Sequence, residues 1–343
     1  MAELSRRRPT IRDVARLSGV SISTVSVALN TPGSASPATR ERVVRAAAEL
    51  GYQPNATARS LNLRRAGSIG LMVPDLSNAY FVNIIAGVER EARDRGYLLV
   101  VGATDWQTAA EEQYSSLLRT QRLDGVIVSS GSGLPPASLL ELVSVEPVVF
   151  VDERVAGFDG HFVGVDNRRA ARVAAAYLFG LGHRRIGIIG GPLGLWTADQ
   201  RLAGYREAAV AAGLDPDSIP LVHGDYQIAS GSRAAAQLLA DDDARPTALL
   251  VANDMMAVGA IAHCRDAGLD VPGDLGIVGF DDIPTASLMT PPLTTVRQPG
   301  RELGIAAARM LLDLVDGREP ERSVTLPADL VVRGSALPPK GGV

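Results

Sequence analysis

Residues 10–30 read TIRDVARLSGVSISTVSVALN, and their spacing dictates two short helices pinned at a sharp turn. Ile11, Val14 and Ala15 recur at i, i+3 and i+4, which puts one apolar stripe on a helix starting near Thr10, and Thr10 with Asp13 three residues later resembles a capping box. Leu17, Gly19 and Val20 mark the corner, where glycine takes the positive φ of a tight turn and Val20 fills the angle between helices. Ser21 caps a second helix that buries Val25, Ala28 and Leu29. Ser21, Ile22, Ser23, Thr24, Ser26 and Val27 are left for its start and outer face, where hydroxyls suit phosphates and base edges. This is a helix-turn-helix, whose second helix enters a major groove.

Charge separates this arm from the rest of the chain. Residues 1–67 hold eleven arginines against Glu3, Asp13, Glu41 and Glu49, a net +7, which leaves −11 for the remainder of a chain carrying −4 overall. A basic arm on an acidic body is the electrostatic footprint of a nucleic-acid binder. A third helix follows, with Ser36 as N-cap, Pro37 at its first position, a stripe of Val43, Val44, Ala47 and Leu50, and Gly51 at its end. Next, QPNATARSLNL (53–63) offers Asn55 as a cap for a helix over 56–61 that is too short to stand alone in water.

From residue 68 the pattern changes to short apolar runs separated by helical stretches. The runs are 69–73, 97–101, 125–129, 147–151 and 162–165, followed by a second series at 185–189, 248–252 and 275–280; helices are expected over 81–95 and starting near Thr197 and Asp254. Parallel α/β logic then gives two doubly wound lobes, with ligands beyond the carboxyl ends of the strands. The loops there carry Asn78, Tyr80 and Phe81; Asp152 and Glu153; Trp196 and Arg201; Tyr226; Asn253 and Asp254; and Asp281. Amide, carboxylate and guanidinium groups recognise hydroxyls or ring nitrogens, and aromatic faces cover the apolar side of a sugar or base. Each residue alone has a plainer role as a helix cap, core residue or ion pair, but six loops with the same chemistry point to a small polar ligand.

The pattern TIxDVAxxSGVSxxTVSxxLN, with ARSL at 58–61, resembles the LacI/GalR (lactose-repressor) family of bacterial transcriptional regulators, and the resemblance extends over nearly the whole chain. It implies a three-helix headpiece (1–52), a hinge helix and linker (53–67), and a two-lobed, periplasmic-binding-protein-like body. The lobes would comprise 68–165 with 298–327, and 166–297 with 328–343, joined by three crossovers. Ile22, Ser23 and Val27 sit where the family reads bases, Val27 replacing a frequent arginine. The candidate DNA-binding set is Thr10, Ser21, Ile22, Ser23, Thr24, Ser26, Val27, Asn30, Asn55, Arg59 and Leu61, with Leu61 the wedge between base pairs in the minor groove. Effector contacts are implied at Tyr80, Phe81, Arg201, Tyr226, Asn253 and Asp281, beside Asn78, Asp152 and Trp196 from the loop reading. Leu195 stands where purine-binding members carry arginine, which favours a sugar.

The remaining features bound the function. Apolar residues at 46% and charged ones at 21% over 343 residues describe a globular chain with room for two or three domains. A single cysteine, Cys264, forms no internal disulfide, and His161, His183, His223 and His263 lack metal-ligand spacing, so no metal or cofactor is expected. The glycine-rich GGPLG lacks the dinucleotide fingerprint and the Lys-Ser/Thr of a phosphate loop, and no activated nucleophile stands out, which argues against an enzyme. No signal-like or membrane-spanning run is evident, so a cytoplasmic protein is expected. The expectation is a ligand-responsive repressor, homodimeric on a near-palindromic operator of double-stranded DNA, with a sugar-like effector between the lobes. The tail GSALPPKGGV lacks heptads and favours a dimer over a tetramer. The alternative is a sugar-binding protein serving a transporter, against which the headpiece weighs.

Overall fold

The computed structural model describes residues 9–30, 34–52, 66–120, 123–132, 137–145 and 147–340. The chain divides into two compact units, 1–67 and 68–343.

In the first unit, α1 (Ile11–Ser18), α2 (Ile22–Asn30) and α3 (Pro37–Leu50) enclose a small core of Val14, Ala15, Val25, Ala28, Val43, Ala46 and Ala47. Asp13 Oδ2 accepts from both the Thr10 N–H (2.9 Å) and the Thr10 hydroxyl (2.7 Å), closing the start of α1. Gly19 turns the corner at φ 65°, a conformation that would strain any residue with a Cβ. The Ser21 hydroxyl accepts from the Thr24 N–H at 3.1 Å and so caps α2. The stripe expected on α3 needs one correction, since Val44 is exposed and Ala46 is buried instead. Helical spacing at 43, 46, 47 and 50 outranks the greater apolarity of valine.

The second unit contains two six-stranded sheets. β1 (Ser68–Val73), β2 (Leu98–Ala103), β3 (Val126–Val128), β4 (Val148–Val151), β5 (His161–Val165) and a later strand, β11 (Ser323–Leu326), form the first in the order β11-β5-β4-β3-β1-β2, all parallel. β6 (Ile186–Gly190), β7 (Leu221–His223), β8 (Ala248–Val251), β9 (Gly276–Asp281), β10 (Thr294–Arg297) and β12 (Asp329–Val331) form the second, in the order β12-β10-β9-β8-β6-β7, with only β12 antiparallel. The inner strands are buried on both faces, which is why they read as unbroken apolar runs. The chain passes between the sheets three times.

Helices pair across the outside of each sheet through glycine contacts. α4 (Ala79–Asp94) packs on the helix Gly300–Val315, which returns to the first sheet, and α7 (Asn167–Gly180) packs on α8 (Trp196–Ala211) in the second. Two shorter helices, α5 (Thr108–Thr120) and α6 (Ala137–Val145), complete the first lobe. α9 (Ile228–Leu238) and α10 (Asp254–Asp266) pair in the second, and Gly300–Val315 is α11 in chain order. At the α4–α11 crossing a Cβ on Gly304 would stand 2.1 Å from the Ile84 carbonyl oxygen, so backbone meets backbone. Gly304→Ala is therefore expected to destabilise the body by about 1–3 kcal/mol through overpacking. Gly180→Ala, where nothing lies within 4 Å, is expected to gain about 0.4–1 kcal/mol. Thermal melts of the two variants against wild type check the contrast.

Cys264 is buried, and desolvation pushes its thiol up to about 11, as suits a core residue. His183 is a structural link after α7, bonded to the Thr247 hydroxyl (2.8 Å) and the Leu337 carbonyl (2.9 Å). Among the described residues no helix is long and apolar enough to cross a membrane.

Candidate functional site

The carboxyl ends of both sheets face one small cavity lined by residues of both lobes. The first lobe contributes Pro74, Asn78, Tyr80 and Phe81 after β1, Trp106 after β2, Ser130 after β3, and Asp152 and Glu153 after β4. The second contributes Leu195, Thr197 and Arg201 from the start of α8, Tyr226 after β7, Asn253 after β8, and Asp281 at the end of β9. Helix starts fix several of these groups. Asn78 Oδ1 accepts from the Tyr80 N–H (3.0 Å), and Asn253 Oδ1 accepts from the Met256 N–H (2.9 Å) while its Nδ2 donates to the Tyr226 carbonyl (3.1 Å). Trp106, Asp152, Tyr226 and Asp281 all sit at positive φ (59°, 68°, 66° and 122°). Such conformations cost about 1–3 kcal/mol each and persist where the surroundings over-determine them, as at binding sites.

Arg201 is the electrostatic centre. Its guanidinium is 4% exposed, donates from Nε to Asn167 Oδ1 (2.8 Å) and from Nη1 to the Ala252 carbonyl (2.6 Å), and lies 3.8 Å from Asp281 Oδ1 and 3.9 Å above the Phe280 ring. Burial works against its charge, but Tyr226, Asp281 and Asp152 outweigh that and hold its pKa above the ordinary value. Asp152 accepts from the Tyr80 hydroxyl at 2.6 Å, and Asp281 accepts from Gln298 Nε2 at 2.8 Å. Burial pushes the Asp281 carboxyl up to about 7 against the pull of Arg201, and raises Asp152 as well. Burial likewise takes Glu153 up to about 8 and Tyr226 up to about 12.

The lobes touch across this cavity. Glu153 of the first accepts from the Thr197 hydroxyl of the second (2.6 Å), Gln227 Nε2 donates to Asp75 Oδ2 (3.0 Å), and the Trp106 and Tyr226 rings lie 5.5 Å apart. The raised carboxyls set a pH dependence. Glu153 moves from an ordinary 4.5 and Asp281 from 3.8, so between those values and about 8 the native state holds more protons than the unfolded chain. Their contribution therefore favours folding at low pH and is lost as pH rises. Glu153→Gln removes one such group, and its melting temperature relative to wild type is expected to climb from about pH 5 to about pH 8. Paired melts across that range check this.

Comparison with known proteins identifies the architecture. Residues 10–55 match the lacI family of bacterial regulatory proteins, and residues 175–336 match a periplasmic binding protein-like domain. The transcriptional repressor CytR of Escherichia coli K12 is 38% identical over 333 residues, 96% of this chain and 97% of that protein. The chain belongs to the LacI family. The lac repressor dimer solved with operator and the anti-inducer ONPF aligns with a TM-score of 0.86 at 31% identity, covering 96% of this chain and 100% of that one. The complex of the regulator CelR with cellobiose aligns with a TM-score of 0.71 at 33% identity, with 96% and 100% covered. This LacI-family chain is a ligand-responsive transcriptional repressor that binds operator DNA, and its relatives are repressors rather than enzymes.

Of the effector residues expected from the sequence, Asn78, Tyr80, Phe81, Asp152, Arg201, Tyr226, Asn253 and Asp281 meet at the cavity. Trp196 does not. Its indole packs edge-on against Phe162 (5.8 Å) beneath the Arg154 guanidinium, because one residue on an α-helix is a 100° rotation and Thr197 takes the inward phase. Pro74, Trp106, Ser130 and Thr197 line the cavity without having been named; Glu153, from the loop reading, and Leu195, from the resemblance, line it too. In the LacI-family headpiece, Ser21, Ile22, Ser23 and Val27 are exposed, and Thr24 and Ser26 are half-buried. The Ser21 hydroxyl lies 2.7 Å from that of Ser23 and 2.8 Å from that of Thr24, a cluster at the start of α2. The Thr10 hydroxyl is engaged by Asp13, and Asn30 closes α2 with its side chain outside the described residues. Asn55, Arg59 and Leu61 also lie outside them.

Proposed function

We propose that the repressor works as a homodimer on a near-palindromic operator and that a small polar effector, a sugar, binds between the two lobes to shift operator affinity. The observation that carries this is the cavity itself: Asp152, Glu153 and Asp281 around one buried guanidinium, walled by Phe81, Trp106 and Tyr226. Carboxyl oxygens accept from hydroxyls in either protonation state, and aromatic faces cover the apolar side of a sugar ring. Leu195 occupies a cavity position without adding a second cation, and the CelR complex holds cellobiose, which supports a sugar for this family member. The domain division proposed is 1–52, 53–67, 68–165 with 298–327, and 166–297 with 328–343. A thermal-shift screen of the full chain against sugars, nucleobases and sugar phosphates tests the reading, because a ligand of the native state raises its apparent stability by mass action. A shift with nucleobases alone counts against a sugar.

On the DNA side, exposed Ile22, Ser23 and Val27 are the proposed base readers, and the methyls of Ile22 and Val27 suit thymine. Leu61 is the proposed wedge in the minor groove. Leu61→Ala is expected to weaken specific operator binding by about tenfold while leaving the melt of the body unchanged, since without the wedge the kink, and the extra contacts that offset the cost of unstacking, are lost. Operator titration and melting curves side by side check it; a lower melting temperature with intact operator affinity contradicts it.

A further inference from the structure

We propose that Trp106 is an effector-recognition residue whose indole N–H donates to the bound effector, and that buried Glu111 is the residue that positions it. The proposal rests on the cavity being the effector site. Asp105 and Trp106 are consecutive residues at positive φ (48° and 59°), a strained pair that turns the loop after β2. The indole forms part of the cavity wall, between Phe81 of its own lobe (6.0 Å) and Tyr226 of the other (5.5 Å). Its Nε1 is buried and has no hydrogen-bond partner in the protein. Buried donors are almost always satisfied, so one left open on a ligand cavity marks where a ligand acceptor sits.

Gly131 lies directly behind the ring: a Cβ there would be 3.1 Å from Trp106 Cε3, so the glycine lets backbone press on the indole. That backbone is fixed by Glu111, which is fully buried on α5 and pairs with no cation among the described residues. Its carboxylate accepts instead from the loop after β3, from the N–H groups of Gly131 (2.5 Å) and Ser132 (3.2 Å) and the hydroxyls of Ser132 (2.6 Å) and Ser130 (3.2 Å). An anion held by successive backbone N–H groups makes a rigid nest. The same contacts commit the Ser130 proton to Glu111, and its oxygen also accepts from the Ser132 N–H (3.3 Å), which leaves Ser130 one acceptor lone pair for the cavity. The wall thus offers a donor at Trp106 and an acceptor at Ser130, a combination that a sugar hydroxyl satisfies by accepting from one and donating to the other.

The test uses the full chain with Trp196→Phe, which leaves Trp106 as the sole indole of two and gives one resonance with ¹⁵N-tryptophan. Should Trp196→Phe fail to fold, wild type is used and Trp106→Phe identifies the peak. D-ribose, cellobiose, hypoxanthine and ribose 5-phosphate are the probes, carried forward where they raise the melting temperature. A bound probe is expected to move the Trp106 indole peak and slow its exchange with water. Trp106→Phe is expected to weaken that probe about fivefold, the effect of losing one neutral hydrogen bond, with the melt unchanged. Glu111→Gln is expected to move the indole peak in the free protein and to weaken the probe by a similar factor. A Trp106→Phe protein that binds as tightly as wild type overturns the proposal. So does a Glu111→Gln protein that only melts earlier, with peak and affinity unmoved. If none of the four probes binds, the sugar reading fails, and the free-protein peak of Glu111→Gln still decides the positioning role.

Discussion

Arg201→Ala is expected to destabilise the effector body by about 3–5 kcal/mol, the loss seen when one partner of a buried ion pair is removed. The guanidinium is 4% exposed and stands 3.8 Å from Asp281, with Asn167, the Ala252 carbonyl and the Phe280 ring as its other partners. Without it, Asp152 and Asp281 remain buried with no cation beside them, and their pKa values rise further as they take up protons. In a domain of this size the loss corresponds to a melting temperature lower by roughly 10 °C. Arg201→Lys keeps the charge but loses the planar fork that reaches Asn167 and Ala252 together, so an intermediate melt is expected. Calorimetric melts of the three proteins check the order; an Arg201→Ala melt equal to wild type would remove Arg201 from the structural centre of the cleft. The sequence placed Arg201 on the ligand with a surface ion pair as its plainer alternative; the structure buries it as well in a structural ion pair with Asp281.

Asp281→Asn separates recognition from stability. Raised to about 7, the carboxyl populates both forms near neutral pH; the amide mimics the protonated form and keeps Oδ1 for Gln298 Nε2. An ionised carboxylate accepting from an effector hydroxyl contributes about 1.5–3 kcal/mol, and the amide forfeits most of it. Effector affinity is therefore expected to fall at least about tenfold, with operator affinity in the absence of effector unchanged. Titration calorimetry with the compound found by thermal shift reads the first, and operator titration the second. Unchanged effector affinity would return Asp281 to a purely structural partnership with Gln298 and Arg201.

The headpiece was legible because its two signals, helical spacing and capping chemistry, agree: Thr10 with Asp13, Gly19 at the corner and Ser21 at the second start are all where they were read. The inner strands were legible because burial on both faces leaves an unbroken apolar run. Of the strands at or near the sheet edges, β2 and β5 were read, whereas four others were not. β7, β11 and β12 are partly exposed, and β10 is built on Thr294 and Thr295, whose hydroxyls bond to the Arg333 N–H and to Asp254. The cavity was legible as a set of loops after strands, yet the phase within a loop was not. Trp196 was chosen for its chemistry, whereas one residue of helical rotation hands the cavity to Thr197. Trp106 escaped because the second strand was read to end at 101 and runs to 103, which brings the DW pair to its carboxyl end. Glu111 looked like one of many helix acids, and only the Ser130–Ser132 nest distinguishes it.

Under the proposed function, occupancy of the cleft sets the affinity for operator, since a ligand that prefers one lobe arrangement must shift that equilibrium and DNA binding reports it. The direct measurement is operator affinity of the full-length wild type and of Asp281→Asn, each with and without the effector found by thermal shift, at one fixed salt concentration because phosphate contacts make affinity salt-dependent. With effector at about its wild-type Kd, wild type is expected to change its operator affinity toward the roughly five- to 150-fold span usual for allosteric coupling at saturation, while Asp281→Asn stays close to its effector-free value. An equal shift in both proteins would contradict the account, because the effector would then act from a site other than the cleft between the lobes.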